Sequence, residues 1–214
     1  MRVAVSMIPK TDPPNLNFEQ SLWQCGLQRI AGFDEAGRGA MAGPVAVAAV
    51  LLPPNPHLAR TLAGVRDSKQ MTRRQRETWA VRIKSVALAW QVGFSSVEEI
   101  DRLGIVCATR LAAMHALENL ALLPDYLLLD FRIDLPESLL PQTAIVKGDQ
   151  ISLSIAAASV LAKTSRDALM CGMDVQYPGY GLEQNKGYGT QAHRSAMMHL
   201  GYSPIHRKSF SLKH

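Results

Sequence analysis

Hydrophobic residues in this chain switch between two periods, and the switches mark its elements. Residues 45–52 form an unbroken apolar run of the length of a buried strand, closed by Pro53-Pro54. Residues 27–33 read as a shorter strand ahead of it, and the two make a hairpin-like unit with a glycine-rich turn. Thr72-x-x-Gln75 is a capping box that opens a helix to about Val86, and residues 87–94 then alternate as a strand. Ser96-x-x-Glu99 caps a short helix ending near Gly104. After it Ile105, Ala108, Leu111, Ala112, Ala116 and Leu120 recur at helical spacing, with His115 as a packed or surface residue among them. Residues 126–130 and 143–147 are near-continuous apolar strands of the kind buried on both faces. Residues 152–171 read as a helix whose Ala156-Ala157-Ala158-Ser159 stretch allows close packing on a sheet. A loop rich in glycine and tyrosine spans 177–190, and Thr190 caps a last helix through about Leu200. A hairpin first and helix-separated strands later predict an α/β fold, a mixed sheet flanked by helices.

Composition narrows this picture in a few respects. At 214 residues the chain fits one domain with a substantial core. The proline-bearing residues 1–26 read as an N-terminal extension, partly disordered and ordered near 18–23, ahead of a compact domain at 27–214. No apolar run is long enough to span a bilayer and residues 1–20 lack a signal-peptide core, so a soluble cytoplasmic protein is expected. Cys25, Cys107 and Cys171 are odd in number and lack paired spacing, which argues against a disulfide framework or a zinc site. A net charge of +5 favours a polyanionic partner.

Candidate chemistry collects at strand ends. Asp34 and Glu35 lie where the first strand gives way to Gly37-Arg38-Gly39, a turn that lets backbone N–H groups approach a ligand and offers a guanidinium to a phosphate. Neighbouring strand residues point to opposite faces, so the two carboxylates are expected to aim differently. Alone, such a pair is more often a solvated turn. Asp130 ends the strand at 126–130, and Asp149 follows the strand at 143–147, beside Lys147 and Gly148. Either aspartate could cap a turn, but acids at three strand ends are harder to dismiss than one. Ligands of α/β sheets bind at the carboxyl ends of strands. Four carboxylates gathered there repel unless cations join them, and hard oxygen ligands select Mg²⁺ or Mn²⁺ over zinc.

Basic and aromatic residues supply the remaining candidates. Lys69 projects near a helix N-terminus, as an anion contact or an ordinary solvated lysine. Tyr188, between glycines and beside Lys186, suits stacking on a sugar or base next to a phosphate, or packs its loop down. Lys163 and Asp167 read as a surface ion pair at i, i+4, with Lys163 or Arg166 facing a phosphate, and His206-Arg207-Lys208 as a small basic tail.

The motifs Gly32-Phe33-Asp34-Glu35-Ala36-Gly37-Arg38-Gly39, Gly43-Pro44, Asp67-Ser68-Lys69, Tyr126 to Asp130, Lys147-Gly148-Asp149, Ser154 to Asp167 and Lys186-Gly187-Tyr188-Gly189-Thr190 share one order and spacing. In this the chain resembles ribonuclease HII, of the ribonuclease H superfamily, over about residues 29–210. The resemblance implies a ribonuclease H-like α/β domain with a small C-terminal helical part. It implies that Asp34, Glu35, Asp130 and Asp149 hold the metals, and that Gly37, Arg38 and Gly39 read a ribonucleotide 2′-hydroxyl. It further implies that Tyr188 packs on the adjoining sugar, that Lys186 beside it also binds the substrate, and that Lys69 contacts a phosphate. Phe131 stands where the family usually has glycine, Asn185 where it has histidine and Met71 where leucine is commoner. The implied activity is hydrolysis of the RNA strand of RNA–DNA hybrids and of DNA duplexes containing ribonucleotides, by two Mg²⁺ or Mn²⁺ ions. The implied protein is a monomer serving ribonucleotide excision in DNA replication and repair.

Overall fold

The apolar run near residue 45 becomes the spine of the sheet in the computed structural model, which describes residues 13–136 and 138–210. In chain order the elements are α1 (Asn17–Gln24), β1 (Ile30–Ala36), β2 (Val45–Leu51), α2 (Leu58–Thr61), α3 (Arg73–Val86), β3 (Ala89–Ser95) and α4 (Val97–Glu118). They continue with β4 (Tyr126–Asp130), β5 (Gln142–Ile145), α5 (Leu153–Gln176), α6 (Leu182–Asn185) and α7 (Gln191–Leu200). The strands form one sheet in the order β3-β2-β1-β4-β5. β2 is antiparallel to β1 and β3, whereas β1, β4 and β5 run parallel, giving the mixed α/β sheet that the sequence predicts.

Every residue of β2 is buried, because helices cover both faces. Val45, Val47, Ala49 and Leu51 share a core with Phe33, Leu129 and the Ala108, Ala112 and Ala116 stripe of α4. Ala48, Val50 and Leu52 share the other with Ile83 of α3 and Ala157 and Leu161 of α5. Two glycines set how close the layers come. A Cβ on Gly32 of β1 would stand 2.3 Å from the Ser154 carbonyl carbon of α5, and one on Gly93 of β3 would stand 2.1 Å from the Ala112 oxygen of α4.

Both predicted capping boxes are present, at Thr72 with Gln75 and at Ser96 with Glu99. The two predicted helices after Ser96 meet at a kink in α4, where Gly104 has φ 77°. Other boundaries differ. β1 extends to Ala36 because its pairing with β2 continues to Ala36↔Ala46, so Asp34 and Glu35 lie on the strand itself. β5 stops at Ile145, and Lys147 at φ 54° turns the chain into a 3₁₀ turn at Gly148–Gln150 that carries Asp149. α5 runs past the predicted end at residue 171 to Gln176, and α6 interrupts the loop at 177–190.

Residues 1–12 of the expected extension lie outside the described residues. From Pro13 onward it is packed: Leu16 is buried, and the carboxylate of Glu19 accepts hydrogen bonds from Ser152 and Ser154 at the start of α5. α6 and α7 form the C-terminal helical part around Ala42, Met170, Tyr180, Leu182, Met197 and Ile205. The expected basic tail is a correction: His206 and Arg207 are fully buried beneath it, because each finds internal partners, and only Lys208 of the three is exposed. Among the described residues no helix is long and apolar enough to cross a membrane.

Candidate active site

Parallel pairing of β1 with β4 ends at Phe33↔Leu129, which places Asp34 and Asp130 next to each other where the strands part. Both follow residues that face α5: Gly32 lies against Ser154, and Leu128 packs with Ile155. Glu35 starts from the opposite face, as alternation requires. Yet one carboxylate oxygen from each of Asp34, Glu35 and Asp130 lies within 4.8 Å of the others. β1 has outrun β4 at that point, so no neighbouring strand stands between Glu35 and the two aspartates.

Backbone groups hold two of these acids in place. Asp34 Oδ1 accepts the Glu35 N–H at 2.8 Å, and Asp130 Oδ1 accepts the Gly148 N–H at 3.0 Å. Glu35 Oε2 is buried without a hydrogen-bond partner, a costly state for a carboxylate oxygen. Asp149 stands outside the trio but acts on it: burial, then the charges of Glu35, Asp130 and Asp149, hold Asp34 well above the ordinary carboxyl range. Glu35 is raised by burial and by Asp130, against the lowering effect of Arg38, Arg132 and Lys69. Asp149 is raised to about 6 by burial, then by Asp67 and Asp130. Three converging carboxylates, with Asp34 and Glu35 raised toward protonation and one Glu35 oxygen buried and orphaned, fit a hard divalent cation.

Asp67 is the acid that sequence reasoning missed. Its Oδ1 accepts the Lys69 N–H at 2.9 Å and its Oδ2 accepts from Gln150 Nε2 at 3.4 Å, so it joins Lys69 to the turn bearing Asp149. The signal lies in Asp67-Ser68-Lys69, where the aspartate precedes the candidate lysine by two residues. Lys69 is exposed, and although burial opposes it, Asp34, Asp67, Asp149 and Glu35 raise its affinity for a proton.

The turn after β1 rests on two buried guanidiniums. Arg207 donates to the carbonyls of Gly37 (2.8 Å), Arg38 (2.9 Å) and Gly43 (3.0 Å). Arg166 donates to those of Ala42 (3.0 Å), Pro44 (2.8 Å) and Lys186 (2.9 Å). Arg166 therefore does not face a phosphate as the sequence suggested; it is fully buried and committed to carbonyls. Gly37 has φ +88°, and a Cβ there would stand 1.9 Å from Arg166 Nε, so only glycine fits. Arg38 is half-buried and donates to the Arg132 carbonyl at 3.0 Å, while Gly39 is exposed with nothing within 4 Å of a built Cβ.

Tyr188 is half-buried with Lys163 Nζ 5.2 Å and the Arg166 guanidinium 5.5 Å from its ring. It closes a groove of about 550 Å³ lined also by Arg73, Arg76, Lys163, Asp167 and Asn185. The Lys163–Asp167 pair exists at 2.7 Å, but it is largely buried and shared with Arg76 at 3.3 Å rather than lying free on the surface. Lys186 is buried too, its ammonium turned inward to Cys171 Sγ at 2.8 Å and to the Glu183 carbonyl. Asn185 donates to the Tyr180 carbonyl and accepts the Gly187 N–H, so it braces the same loop.

Ribonuclease HII of Archaeoglobus fulgidus, solved in complex with PCNA, matches this structure with a TM-score of 0.71 at 27% identity, over 87% of this chain and 96% of that one. Fold and site thus define a ribonuclease H-type nuclease. The family model for ribonuclease HII matches residues 31–213. Ribonuclease HII of Synechococcus sp. (strain JA-3-3Ab) is 53% identical over 208 residues, 97% of this chain and 92% of that protein. The Moorella thermoacetica protein of the same name is 49% identical over 193 residues, 90% of this chain and 91% of its own. The chain belongs to the ribonuclease HII family.

Proposed function

We propose that the protein hydrolyses the RNA strand of RNA–DNA hybrids and cuts on the 5′ side of ribonucleotides embedded in duplex DNA, leaving 3′-hydroxyl and 5′-phosphate ends. The observation that carries this reading is the acid cluster with a buried, orphaned Glu35 oxygen, set beside a turn open to a nucleic-acid backbone. Asp34, Glu35 and Asp130, with Asp149 close enough for its charge to act on them, would hold Mg²⁺ or Mn²⁺, since the converging ligand atoms are carboxylate oxygens. Such ions, when bound, supply water activation for in-line attack and charge neutralisation at the leaving 3′ oxygen.

The protein's own residues select and place the strand. Arg207 draws the carbonyls of Gly37 and Arg38 inward, and a trans peptide then turns the N–H groups of Arg38 and Gly39 outward, toward a 2′-hydroxyl. The open space at Gly39 gives the sugar clearance. Tyr188 offers a ring face to that sugar, and Lys69 and Arg38 offer charge to the flanking phosphates. Lys186 serves the same surface indirectly, through its carbonyl on Arg166. The reading takes the protein as a cytoplasmic monomer, with residues 27–214 as the catalytic unit and 1–26 as an extension whose Glu19 braces α5.

The deciding experiment is cleavage of an end-labelled DNA duplex carrying one ribonucleotide, beside an all-DNA control, in Mg²⁺, Mn²⁺ or EDTA. A single metal-dependent cut 5′ of the ribonucleotide, absent from the control, is the expected result. Binding without cutting in either metal would overturn the reading.

A further inference from the structure

Besides the bonds from Met41 and Ala42 N–H to the neighbouring Gly187 carbonyl and from Arg166 to the Lys186 carbonyl, Tyr188 itself is tied to the rest of the site by two histidines to which the reaction assigns no part. Its carbonyl accepts from Thr190 N–H at 2.7 Å and from His193 Nδ1 at 3.0 Å, and its own N–H donates to the Asn185 carbonyl at 2.9 Å. The Asn185 and Thr190 bonds are internal to the loop and travel with it. The His193 bond does not: His193 Nε2 lies 3.1 Å from His206 Nε2, and His206 Nδ1 accepts the Ser203 N–H at 3.0 Å.

The backbone groups at the two ends fix the protons between them. Ser203 N–H can only donate, so His206 Nδ1 is bare and the neutral ring carries its hydrogen on Nε2. The Tyr188 carbonyl can only accept, so His193 carries its hydrogen on Nδ1 and leaves Nε2 bare. The contact between the rings is then a hydrogen bond donated by His206, and no other neutral arrangement satisfies both ends. Both rings are fully buried, with Tyr180 at 4.7 Å and Tyr202 at 5.7 Å from the His206 ring centre. Burial holds both imidazoles below their ordinary value, and for His206 the neighbouring His193 adds to it, bringing it to about 4. The neutral pair is therefore the form present at neutral pH.

The next residue completes the link. Arg207 holds the carbonyls of Gly37 and Arg38, and Ala42 pairs with His206 in an antiparallel bridge. One dipeptide thus joins Tyr188, through His206 and then His193, to the turn after β1, through Arg207.

We propose that His193 and His206 are positioning residues for ribonucleotide recognition, their ordered hydrogen bond setting the place of Tyr188 relative to Gly37-Arg38-Gly39. The proposal rests on the reading of Tyr188 and that turn as the elements that contact the sugar. A sugar held slightly out of line loses turnover more than binding, since phosphate contacts elsewhere persist.

The test compares His193→Phe, His193→Asn, Tyr188→Ala and the Phe–Ala double variant on the single-ribonucleotide duplex, with kcat and KM separated and thermal unfolding recorded. His193→Phe is expected to lower kcat on the order of 10- to 100-fold while KM stays within about threefold. Asn, whose Nδ2–H stands where Nδ1–H stood, is expected to recover most of the loss. In the double variant the Phe change adds nothing to the Ala change; losses that multiply would overturn the proposal. Harm from Tyr188→Ala with none from His193→Phe would overturn it too, whereas a harmless Tyr188→Ala would remove the underlying reading. Should His193→Phe not fold, long-range ¹H–¹⁵N spectra of the unsubstituted protein decide. Nδ1–H on His193 with Nε2–H on His206 at neutral pH supports the pair, and any other tautomer or an imidazolium ends it.

Discussion

Gly39 has no reason inside the free protein to be glycine: its φ lies outside the left-handed region and a Cβ there would meet nothing within 4 Å. Gly39→Ala should therefore leave unfolding within about 0.5 kcal/mol of the parent. The same change should weaken cleavage at a single ribonucleotide by about tenfold or more, because the methyl occupies the space assigned to the sugar. Equal activity in the Ala variant would place the sugar elsewhere. Asp34 behaves in the opposite way. Burial, then the charges of Glu35, Asp130 and Asp149, hold it well above the ordinary carboxyl range, so its charge opposes folding when no cation is present. Asp34→Asn is expected to raise the melting temperature in EDTA by a few degrees while reducing cleavage by about 10³-fold or more. A lower melting temperature for Asn would show that the cluster is not under repulsion. The buried histidines give the pH dependence of the fold an acid limb. His206 titrates near 4 in the folded protein, against 6.5 for a free imidazole. The unfolded chain takes up the proton first, so stability is lost as pH falls from about 6.5 to about 4. Urea midpoints across that range should flatten in His206→Gln, and an unchanged slope would mean the histidine already carries charge.

At the scale of elements, packing distance is set by glycines on strands. Gly32→Ala would drive a methyl into the backbone of Ser154 and Ile155 at 2.3 and 2.5 Å, which no side-chain rotation relieves. The change is expected to cost about 1–3 kcal/mol or more by displacing α5 from β1, read as a lower denaturant midpoint at unchanged slope. A neutral result would mean that α5 floats on the sheet. This scale also shows what was legible in the sequence. The unbroken run at β2, the two capping boxes and the strands ending in Asp130 and near Asp149 carry local signals of period and cap chemistry, and each became an element. The end of β1 did not, because its last residues join the sheet through pairing with Val47 and Ala46 across the turn. The buried cations were illegible for the same kind of reason. Arg166 and Arg207 look like surface residues until six carbonyls from distant segments are brought to them, and Lys186 looks free until Cys171 is beside it. Asp67 was hidden by its neighbour: only folding brings Gln150 and Asp149 to it.

The molecule as a whole carries a net charge of +5 yet concentrates negative charge at one end of its parallel strands. That separation makes folding and cation binding one equilibrium. An ion that binds the folded state alone, present at about 100 times its dissociation constant, adds about 2.7 kcal/mol. For a chain of this size that is a rise of about 5–10 °C in melting temperature. The rise must depend on pH, and its sign follows from the direction of the shifts. Asp149 holds its proton to about 6 in the folded protein against 3.8 in the free side chain, and Asp34 and Glu35 are raised as well. In the metal-free protein Asp149 contributes stability that is present below about 4 and is lost as pH rises through about 6, and Asp34 and Glu35 act in the same direction. A cation must displace those protons at the lower pH and finds them gone at the higher one. The difference in melting temperature between saturating Mg²⁺ and EDTA should accordingly be small at pH 5 and grow to a plateau above about pH 7. Calorimetry at four pH values between 5 and 8 would measure it directly. An increment that is absent, or the same at every pH, would mean that the carboxylates of Asp34, Glu35, Asp130 and Asp149 do not share a cation.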